Sequence, residues 1–216
     1  MKAMWSYVRQ ALGVTLLCFG LVVCMHGGAF ADAGTEAKEA LESSLNGIIS
    51  KLGSDEFKND ETREAVRAEI EKLIRRSFDF EEFSMRTVGP RWRTFTDEQR
   101  KKFAEAFEAL LRSSYTDKLE SYNGENVEYA GERASKDGSR VEVATNIIQG
   151  DKKIPVAYRM LHKGEWVVYD VLVEGISLVK NYRTQFQELL RSETPDELIH
   201  RIHLKAEEMK QANGKN

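Results

Sequence analysis

Few residues of this chain have the type and spacing that chemistry requires. Asp170 is the only formal charge in the apolar run from Trp166 to Val173. A buried carboxylate is costly unless it is paired or hydrogen-bonded. Asp170 is therefore either a general base with a raised pKa or the structural partner of an arginine, a backbone amide or a tyrosine hydroxyl. The structural role is favoured, because the sequence places no second acid, histidine or cysteine beside it.

Two other groups of polar residues give weaker signals. His200 and His203 could share a metal, but neither a cysteine nor an acidic residue follows at ligand spacing, so we interpret them as surface histidines. Arg86, Arg91 and Arg93 could meet a phosphate, but a solvated basic loop is the favoured interpretation. The sequence contains no glycine-rich phosphate loop, no G-x-S-x-G motif and no CxxC motif. This pattern favours binding over catalysis.

The beginning of the chain has the pattern of a signal peptide. Lys2 and Arg9 precede an apolar run from Ala11 to Met25, and Ala29-Phe30-Ala31 follows as an A-x-A cleavage motif. The apolar run is too short for a stable membrane span. We therefore expect residues 1–31 to be removed on export to a bacterial periplasm.

The composition of the expected mature chain restricts the classes of partner that it can bind. Both cysteines of the sequence leave with the leader, so about 185 residues must fold on their apolar core without disulfides. Without Lys2 and Arg9, 30 basic residues face 35 acidic ones, a formal charge of −5. This balance argues against nucleic acid or an anionic membrane surface as the main partner.

Helical periodicity and strand periodicity occupy separate parts of the chain. Apolar residues recur at helical spacing in six segments, approximately residues 35–52, 60–77, 79–88, 97–122, 176–189 and 194–209. N-cap signals stand at Asp79, at Thr96 with Gln99, and at Thr194. Between them the period falls to two in four short segments around residues 127–129, 141–147, 154–160 and 166–173.

Short turns between the four predicted strands indicate an antiparallel meander. The predicted fold class is therefore α+β, with a curved four-stranded antiparallel sheet and about six helices. We expect one domain over residues 32–210, helical to residue 125, a sheet over 126–173 and helical again over 174–210. Residues 211–216 are polar and are predicted to form a flexible tail.

The stretch from Trp166 to Leu190 predicts where a ligand space would lie. A central strand ends at Glu174-Gly175, and a helix follows whose apolar face begins at Ile176. Such a helix returns over its own sheet and leaves an apolar space between them. Many large side chains are available to fill or line it: Trp92, Phe103, Phe107, Tyr115, Tyr158, Met160, Trp166, Tyr169, Tyr182 and Phe186. A solid core is the more common result of such a pattern, and periodicity alone does not separate it from a lined cavity.

Several motifs resemble the MlaC family, the periplasmic components of the maintenance-of-lipid-asymmetry system, also called toluene-tolerance auxiliary proteins. The similar stretches are residues 78–124 and 166–190, and the resemblance extends over nearly all of the expected mature chain. Its most specific parts are W-x-x-Y-D from Trp166 to Asp170, E-G-I-S from Glu174 to Ser177, and T-x-x-Q-R from Thr96 to Arg100.

The resemblance implies a carrier of glycerophospholipids with a cystatin-like sheet of the nuclear-transport-factor class. Proteins of this kind shuttle lipid between an outer-membrane lipoprotein–porin complex and an inner-membrane ABC transporter, and their acyl tails lie between sheet and helices. The expectation for this chain is a monomeric, non-enzymatic carrier with lipid as cargo and without cofactor, metal or nucleic acid.

The expected cavity wall comes from the long helix, the last two strands and the segment that follows them. The candidate lipid-binding residues are Phe103, Phe107, Leu111, Tyr115, Val156, Tyr158, Met160, Val171, Val173, Ile176 and Val179. Because side chains alternate along a strand, we expect Val171 and Val173 on the tail side and Val168 on the side of Asp170.

Two other classes of function remain open from the sequence. One is an enzyme of the same conical fold that uses Asp170 with a tyrosine as an acid–base pair. The other is a periplasmic chaperone or lipoprotein carrier that holds a protein-linked acyl chain.

Overall fold

The computed structural model describes residues 28–120 and 122–213. Seven α-helices lie in this part of the chain: α1 Gly28–Leu52, α2 Asp55–Lys58, α3 Asp60–Ser77, α4 Phe80–Val88, α5 Asp97–Glu120, α6 Leu178–Leu189 and α7 Pro195–Asn213. A 3-10 helix, Gly89–Thr94, connects α4 to α5. The strands are β1 Asn126–Ala134, β2 Arg140–Gln149, β3 Lys152–His162, β4 Trp166–Val173 and β5 Ile176–Ser177.

The strands form one open antiparallel sheet in the order β1-β2-β3-β4-β5. The predicted α+β class and the meander are confirmed. The sheet has five strands in place of the predicted four, because the chain turns back at once after β4. Glu174 and Gly175 both have positive φ angles, 51° and 80°. This tight turn pairs Ile176 with Val173 and so adds the two-residue strand β5 before α6.

Side-chain caps begin the helices where the sequence indicates them. Asp79 accepts a hydrogen bond from the N–H of Glu82 at 2.9 Å. Thr96 and Gln99 bond each other's backbone N–H groups at 3.0 and 3.2 Å, the reciprocal pattern of a capping box. Thr194 caps α7 in the same way. These predictions are confirmed, and the caps fix the chain directions of the helices around the sheet.

Buried apolar side chains form three separate clusters around the inner face of the sheet. The helical cluster joins α4 to α7 and includes Phe83, Phe103, Phe107 and Phe186. The sheet cluster packs Ala37 and Leu41 of α1 against Val141, Val143, Met160 and Val168. The hairpin cluster joins α1, α2 and α3 through Leu52, Phe57 and Ile70. The helices therefore divide into an α1–α3 unit and an α4–α7 unit, which meet over the sheet.

The segment between α3 and α4 ties these two units to the free edge of β4. Phe78 forms a parallel bridge with Val168, and the N–H of Asp79 donates to the Val168 carbonyl oxygen at 2.9 Å. The carboxylate of Asp79 also pairs with Lys163 at 2.6 Å. Phe78 is thereby held at the junction of the two helical units.

Most of the predicted signal peptide, residues 1–27, lies outside the described residues, as does the end of the predicted tail, residues 214–216. Among the helices of the described part, none combines the length and the apolar character needed to cross a membrane.

Candidate functional site

An apolar cavity of about 360 Å³ lies where the three apolar clusters meet. Every helix from α1 to α6 except α2 contributes to its wall, together with β3, β4 and the α3–α4 junction. The lining residues are Leu41, Ser44, Leu45, Ile48, Ile74, Ser77, Phe78, Phe80, Phe83, Leu111, Tyr115, Tyr158, Val168, Val171 and Leu178. The clusters thus pack around a space instead of merging into one solid core.

Among the described residues, the lining contains no charged side chain, and its few polar atoms are accommodated locally. Ser77 Oγ lies 2.8 Å from both Ser44 Oγ and the Leu73 carbonyl oxygen. The hydroxyl of Ser44 donates to the Ala40 carbonyl oxygen at 3.0 Å. The two serines therefore direct their hydrogen bonds to their own helices and to each other. The wall is suited to hydrocarbon and not to an ion.

Two tyrosines supply the other hydroxyl groups of the wall. Burial raises the pKa of Tyr115 to about 12, and it raises the pKa of Tyr158 to about 12 as well. Both side chains are consequently neutral near pH 7. Each presents an aromatic ring to the cavity without adding charge.

A β-bulge decides which side chains of β4 reach the cavity. Arg159 pairs with Asp170 but Met160 pairs with Val168, so Tyr169 is an additional residue on β4. The bulge interrupts the alternation of side chains, and both Val168 and Val171 line the cavity. The prediction that Val168 faces away from Val171 was therefore wrong, because simple alternation assumes a regular ladder.

Comparison of the sequence with protein-family models identifies the family to which this chain belongs. The family model described as MlaC protein matches residues 42–203. The chain belongs to the MlaC family. The matched range contains every residue of the cavity wall except Leu41.

Relatives of the MlaC-family chain cover most of its length. The intermembrane phospholipid transport system binding protein MlaC of Haemophilus influenzae is 22% identical over 181 residues, which cover 82% of this chain and 85% of that protein. The toluene tolerance protein ttg2D of Pseudomonas putida is 24% identical over 191 residues, which cover 87% and 85% respectively.

A solved structure shares the fold of this MlaC-family chain. It is a phospholipid-binding protein from Ralstonia solanacearum in complex with a phospholipid. The two structures superpose with a TM-score of 0.72 at 19% sequence identity, over 81% of this chain and 99% of that chain. The similarity shows a common fold of sheet and helices.

The eleven candidate residues are distributed between the cavity and its surroundings. Four line the cavity: Leu111, Tyr115, Tyr158 and Val171. Three belong to the helical cluster and not to the cavity wall: Phe103, Phe107 and Val179. These three side chains pack within the α4–α7 unit and fill its core. Phe107, for example, packs 5.2 Å from Phe186 between ring centroids.

The remaining four candidates continue the inner face of the sheet. Val156 and Met160 are buried there beside Tyr158, outside the cavity wall. Val173 and Ile176 face each other across the β4–β5 pair and are exposed, Ile176 by 65%. These two side chains extend the apolar surface of Val171 from the cavity to solvent.

The α1–α3 unit supplies cavity residues that are absent from the eleven candidates. Leu41, Leu45, Ile48 and Ile74 form apolar stripes on two amphipathic helices, a pattern that fits any buried helix face. The other lining residues belong to short segments, where periodicity carries little information: Phe78 lies in the α3–α4 connection, Phe80 and Leu178 begin α4 and α6, and Phe83 lies within the short helix α4. No spacing in the sequence indicates that these stripes face a space.

Asp170 is fully engaged on the side of β4 opposite the cavity. Its carboxylate accepts hydrogen bonds from the Ser177 hydroxyl at 2.7 Å, the Val179 N–H at 3.0 Å and Arg159 Nη1 at 3.1 Å. Arg159 also pairs with Glu142 at 2.9 Å. These partners include the arginine and the backbone amide that the structural interpretation anticipates. They join β3, β4, β5 and the first turn of α6.

The other polar residues singled out in the sequence lie away from the cavity. His200 and His203 are exposed on α7, and no group of three possible metal ligands is present in the described part of the chain. Arg86 lies over the Tyr169 ring at 4.1 Å and pairs with Glu82 at 2.6 Å, whereas Arg91 and Arg93 are exposed on the 3-10 helix. The three arginine side chains therefore do not converge on a common point.

Proposed function

We propose that this MlaC-family protein is a periplasmic carrier that binds the acyl tails of a glycerophospholipid in the apolar cavity. The observation that carries the proposal is the uncharged wall between the sheet and two helical units. The names of the relatives in H. influenzae and P. putida, and the phospholipid bound by the structural relative of R. solanacearum, support the same class of cargo.

The energetics of lipid transport require an apolar space that shields the acyl tails from water. Removing one methylene from water gains about 0.8 kcal/mol, so two tails of about 15 methylenes represent on the order of 25 kcal/mol. A carrier competes with a bilayer only if it keeps most of this hydrocarbon dry. The apolar surface formed by Val173 and Ile176 beside the cavity offers additional contact for the part of the lipid nearest to solvent.

The proposed carrier exchanges its cargo with protein partners on both membranes. We propose that lipid passes between an outer-membrane lipoprotein–porin complex and an inner-membrane ABC transporter, and so maintains the lipid asymmetry of the outer membrane. The formal charge of −5 expected for the mature chain opposes direct adsorption to anionic lipid surfaces. Complementary charge on a partner would instead favour docking.

The proposal includes no catalytic step. Lipid transfer needs neither an acid nor a base, and the three donors around Asp170 give that carboxylate a structural role. The experiment is native mass spectrometry of the protein purified from the periplasm of a cell that exports it. We expect a 1:1 complex whose mass difference corresponds to a glycerophospholipid, released and identified on activation.

A lipid-free protein that also fails to extract labelled phospholipid from vesicles would overturn the proposal. A covalently lipidated protein found as the cargo would identify a lipoprotein carrier instead. Turnover of a small ring substrate that depends on Asp170 would identify the enzyme.

A further inference from the structure

In the described part of the chain, two ion pairs cross between α3 and α5 and form a ladder of alternating sign. Glu71 of α3 pairs with Arg112 of α5 at 3.2 Å, and Arg75 of α3 pairs with Glu108 of α5 at 2.8 Å. On each helix the two charges are four residues apart, so they lie on one face and are one turn apart. The side chains of all four residues are partly exposed. We refer to these four residues as the α3–α5 seam.

The apolar cavity lies directly inside this seam. Ile74 and Leu111, the immediate neighbours of Arg75 and Arg112, both line the cavity. The Tyr115 ring is also part of the wall, and the pKa of its hydroxyl responds to all four charges of the seam after the larger effect of burial. Tyr115 therefore extends from the cavity to the ion pairs.

In the described part of the chain, the buried apolar side chains of α3 and α5 belong to different clusters. The buried side chains of α3 belong to the hairpin cluster with α1 and α2, whereas those of α5 belong to the helical cluster with α4, α6 and α7. No cluster of buried residues in the described part of the chain contains both Ile70 of α3 and a buried residue of α5. The two ion pairs thus bridge two separately packed units.

The other walls of the cavity are closed by stronger interactions. The sheet side is held by the backbone ladders of β2, β3 and β4. The α4–α6 side is held by packed rings such as Phe107 against Phe186, and the α1 side by the sheet cluster. Exposed ion pairs contribute little to stability because solvent screens them. The ion pairs of the seam are therefore the weakest of these contacts.

We propose that the α3–α5 seam is the route by which acyl tails enter and leave the cavity. The two ion pairs act as a latch, and α3 moves away from α5 when they separate. This inference rests on the proposed function, since it needs a lipid that exchanges. The proposal predicts that the signs of the charges facing each other across the seam determine the rate of lipid exchange, with a smaller effect on the amount of lipid bound.

The test is a charge-swap cycle on one rung of the ladder. The variants are Arg75→Glu, Glu108→Arg and the double variant with both changes. Each protein is loaded with a fluorescent phosphatidylglycerol, and the rate of its loss to excess phosphatidylcholine vesicles is measured. Each single variant places like charges across the seam, so we expect exchange to accelerate about fivefold, the ratio that ~1 kcal/mol represents. The double variant restores opposite charges and should return to within about twofold of the unchanged protein.

A matched control breaks an ion pair that does not cross the seam. Lys51 of α1 pairs with Glu69 of α3 inside the α1–α3 unit. Lys51→Glu should leave the exchange rate unchanged although it disrupts an exposed interhelical pair of the same kind. If this control accelerates exchange as strongly as Arg75→Glu, the effect is general loosening and the seam is not the route.

A second experiment links the seam closed instead of opening it, so its result does not depend on destabilising the protein. Cysteines introduced by Arg75→Cys and Glu108→Cys are joined by a flexible bismaleimide in an otherwise cysteine-free protein. The linked protein should lose lipid at least tenfold more slowly than the same protein before linking. If the linked protein exchanges lipid at the unlinked rate, the seam is not the route of the acyl tails. Such a result would leave the proposed function intact, provided that the unchanged protein binds phospholipid.

Discussion

The carboxylate of Asp170 and the backbone N–H of Val179 lie 3.0 Å apart, and this contact joins β4 to the first turn of α6. The Ser177 hydroxyl, which also bonds Asp170, accepts a hydrogen bond from the Lys180 N–H at 3.0 Å. Ser177 is thus both the N-cap of α6 and a ligand of the buried carboxylate. The side of the sheet opposite the cavity thereby fixes where α6 begins and how Leu178 enters the cavity wall.

Asp170→Asn should lower the free energy of unfolding by about 2–4 kcal/mol, because it removes the charge that faces Arg159 and weakens two further hydrogen bonds. Urea denaturation followed by circular dichroism measures this change. Asp97→Asn is the control, since the carboxylate of Asp97 is 98% exposed and pairs only locally with Arg100 in the described part of the structure. Equal stability of the two variants would mean that the Asp170 contacts contribute little.

The sequence predicted the elements with strong local signals. The caps at Asp79, Thr96 and Thr194 were recognisable because each places a polar side chain just before an apolar helical period. The β4 strand was recognisable because apolar residues fill both of its faces. These signals depend on neighbours within a few residues, so one chain is enough to find them.

The cavity wall could not be predicted to the same extent, for two physical reasons. A bulge at Tyr169 brings Val168 and Val171 to one side, and nothing in the residue types marks that irregularity. Phe103 and Phe107 have the spacing of a helix face, but periodicity does not say whether a face meets other side chains or a space. The contribution of α1 depends on contacts more than 100 residues away in the sequence, such as Leu41 with Val168.

Tyr158→Phe should make the protein less sensitive to alkaline pH. Burial raises the pKa of Tyr158 to about 12, above the value near 10 of an unfolded tyrosine. The folded state therefore holds this proton more tightly, and its stability is complete below pH 10 and falls as pH rises from 10 to 12. The loss for one such group is on the order of 2–3 kcal/mol. Unfolding free energies at pH 8 and pH 11 should differ less in the variant than in the unchanged protein, and equal differences would contradict this assignment.

Ile176→Ser should weaken lipid retention without weakening the fold. The Ile176 side chain is 65% exposed, so its replacement should change the free energy of unfolding by less than about 0.5 kcal/mol. It pairs with Val173 on the apolar surface that continues from Val171, so the part of the lipid nearest to solvent loses a contact there. The quantity to compare is the amount of phospholipid that remains bound after extended dialysis against vesicles.

The control for that experiment is Leu204→Ser, which removes a similarly exposed apolar side chain from α7, away from the cavity. Leu204 is 50% exposed. This variant should retain its full lipid load. If both variants lose lipid equally, the loss of any exposed apolar side chain weakens lipid retention, and the β4–β5 turn has no special role.

Val171→Trp should fill the cavity from the sheet side. Val171 pairs with Tyr158 and lines the cavity, so an indole at this position can extend into the existing space. The free energy of unfolding should change by less than about 1 kcal/mol, which is below the usual loss when a large side chain is forced into a solid core. Co-purifying phospholipid should be lost, and the variant should fail to support outer-membrane integrity in a cell that depends on the protein.

The matched variant is Val143→Trp, on the same face of the sheet but without access to the cavity. Val143 is fully buried against Leu41 and Met160 in the sheet cluster. An indole there has no space to occupy, so this variant should lose about 3 kcal/mol of stability or more. The contrast in melting temperature between the two variants distinguishes an open cavity from a solid core at Val171. If Val171→Trp melts as low as Val143→Trp, or keeps its full lipid load, the space beside Val171 does not hold acyl tails.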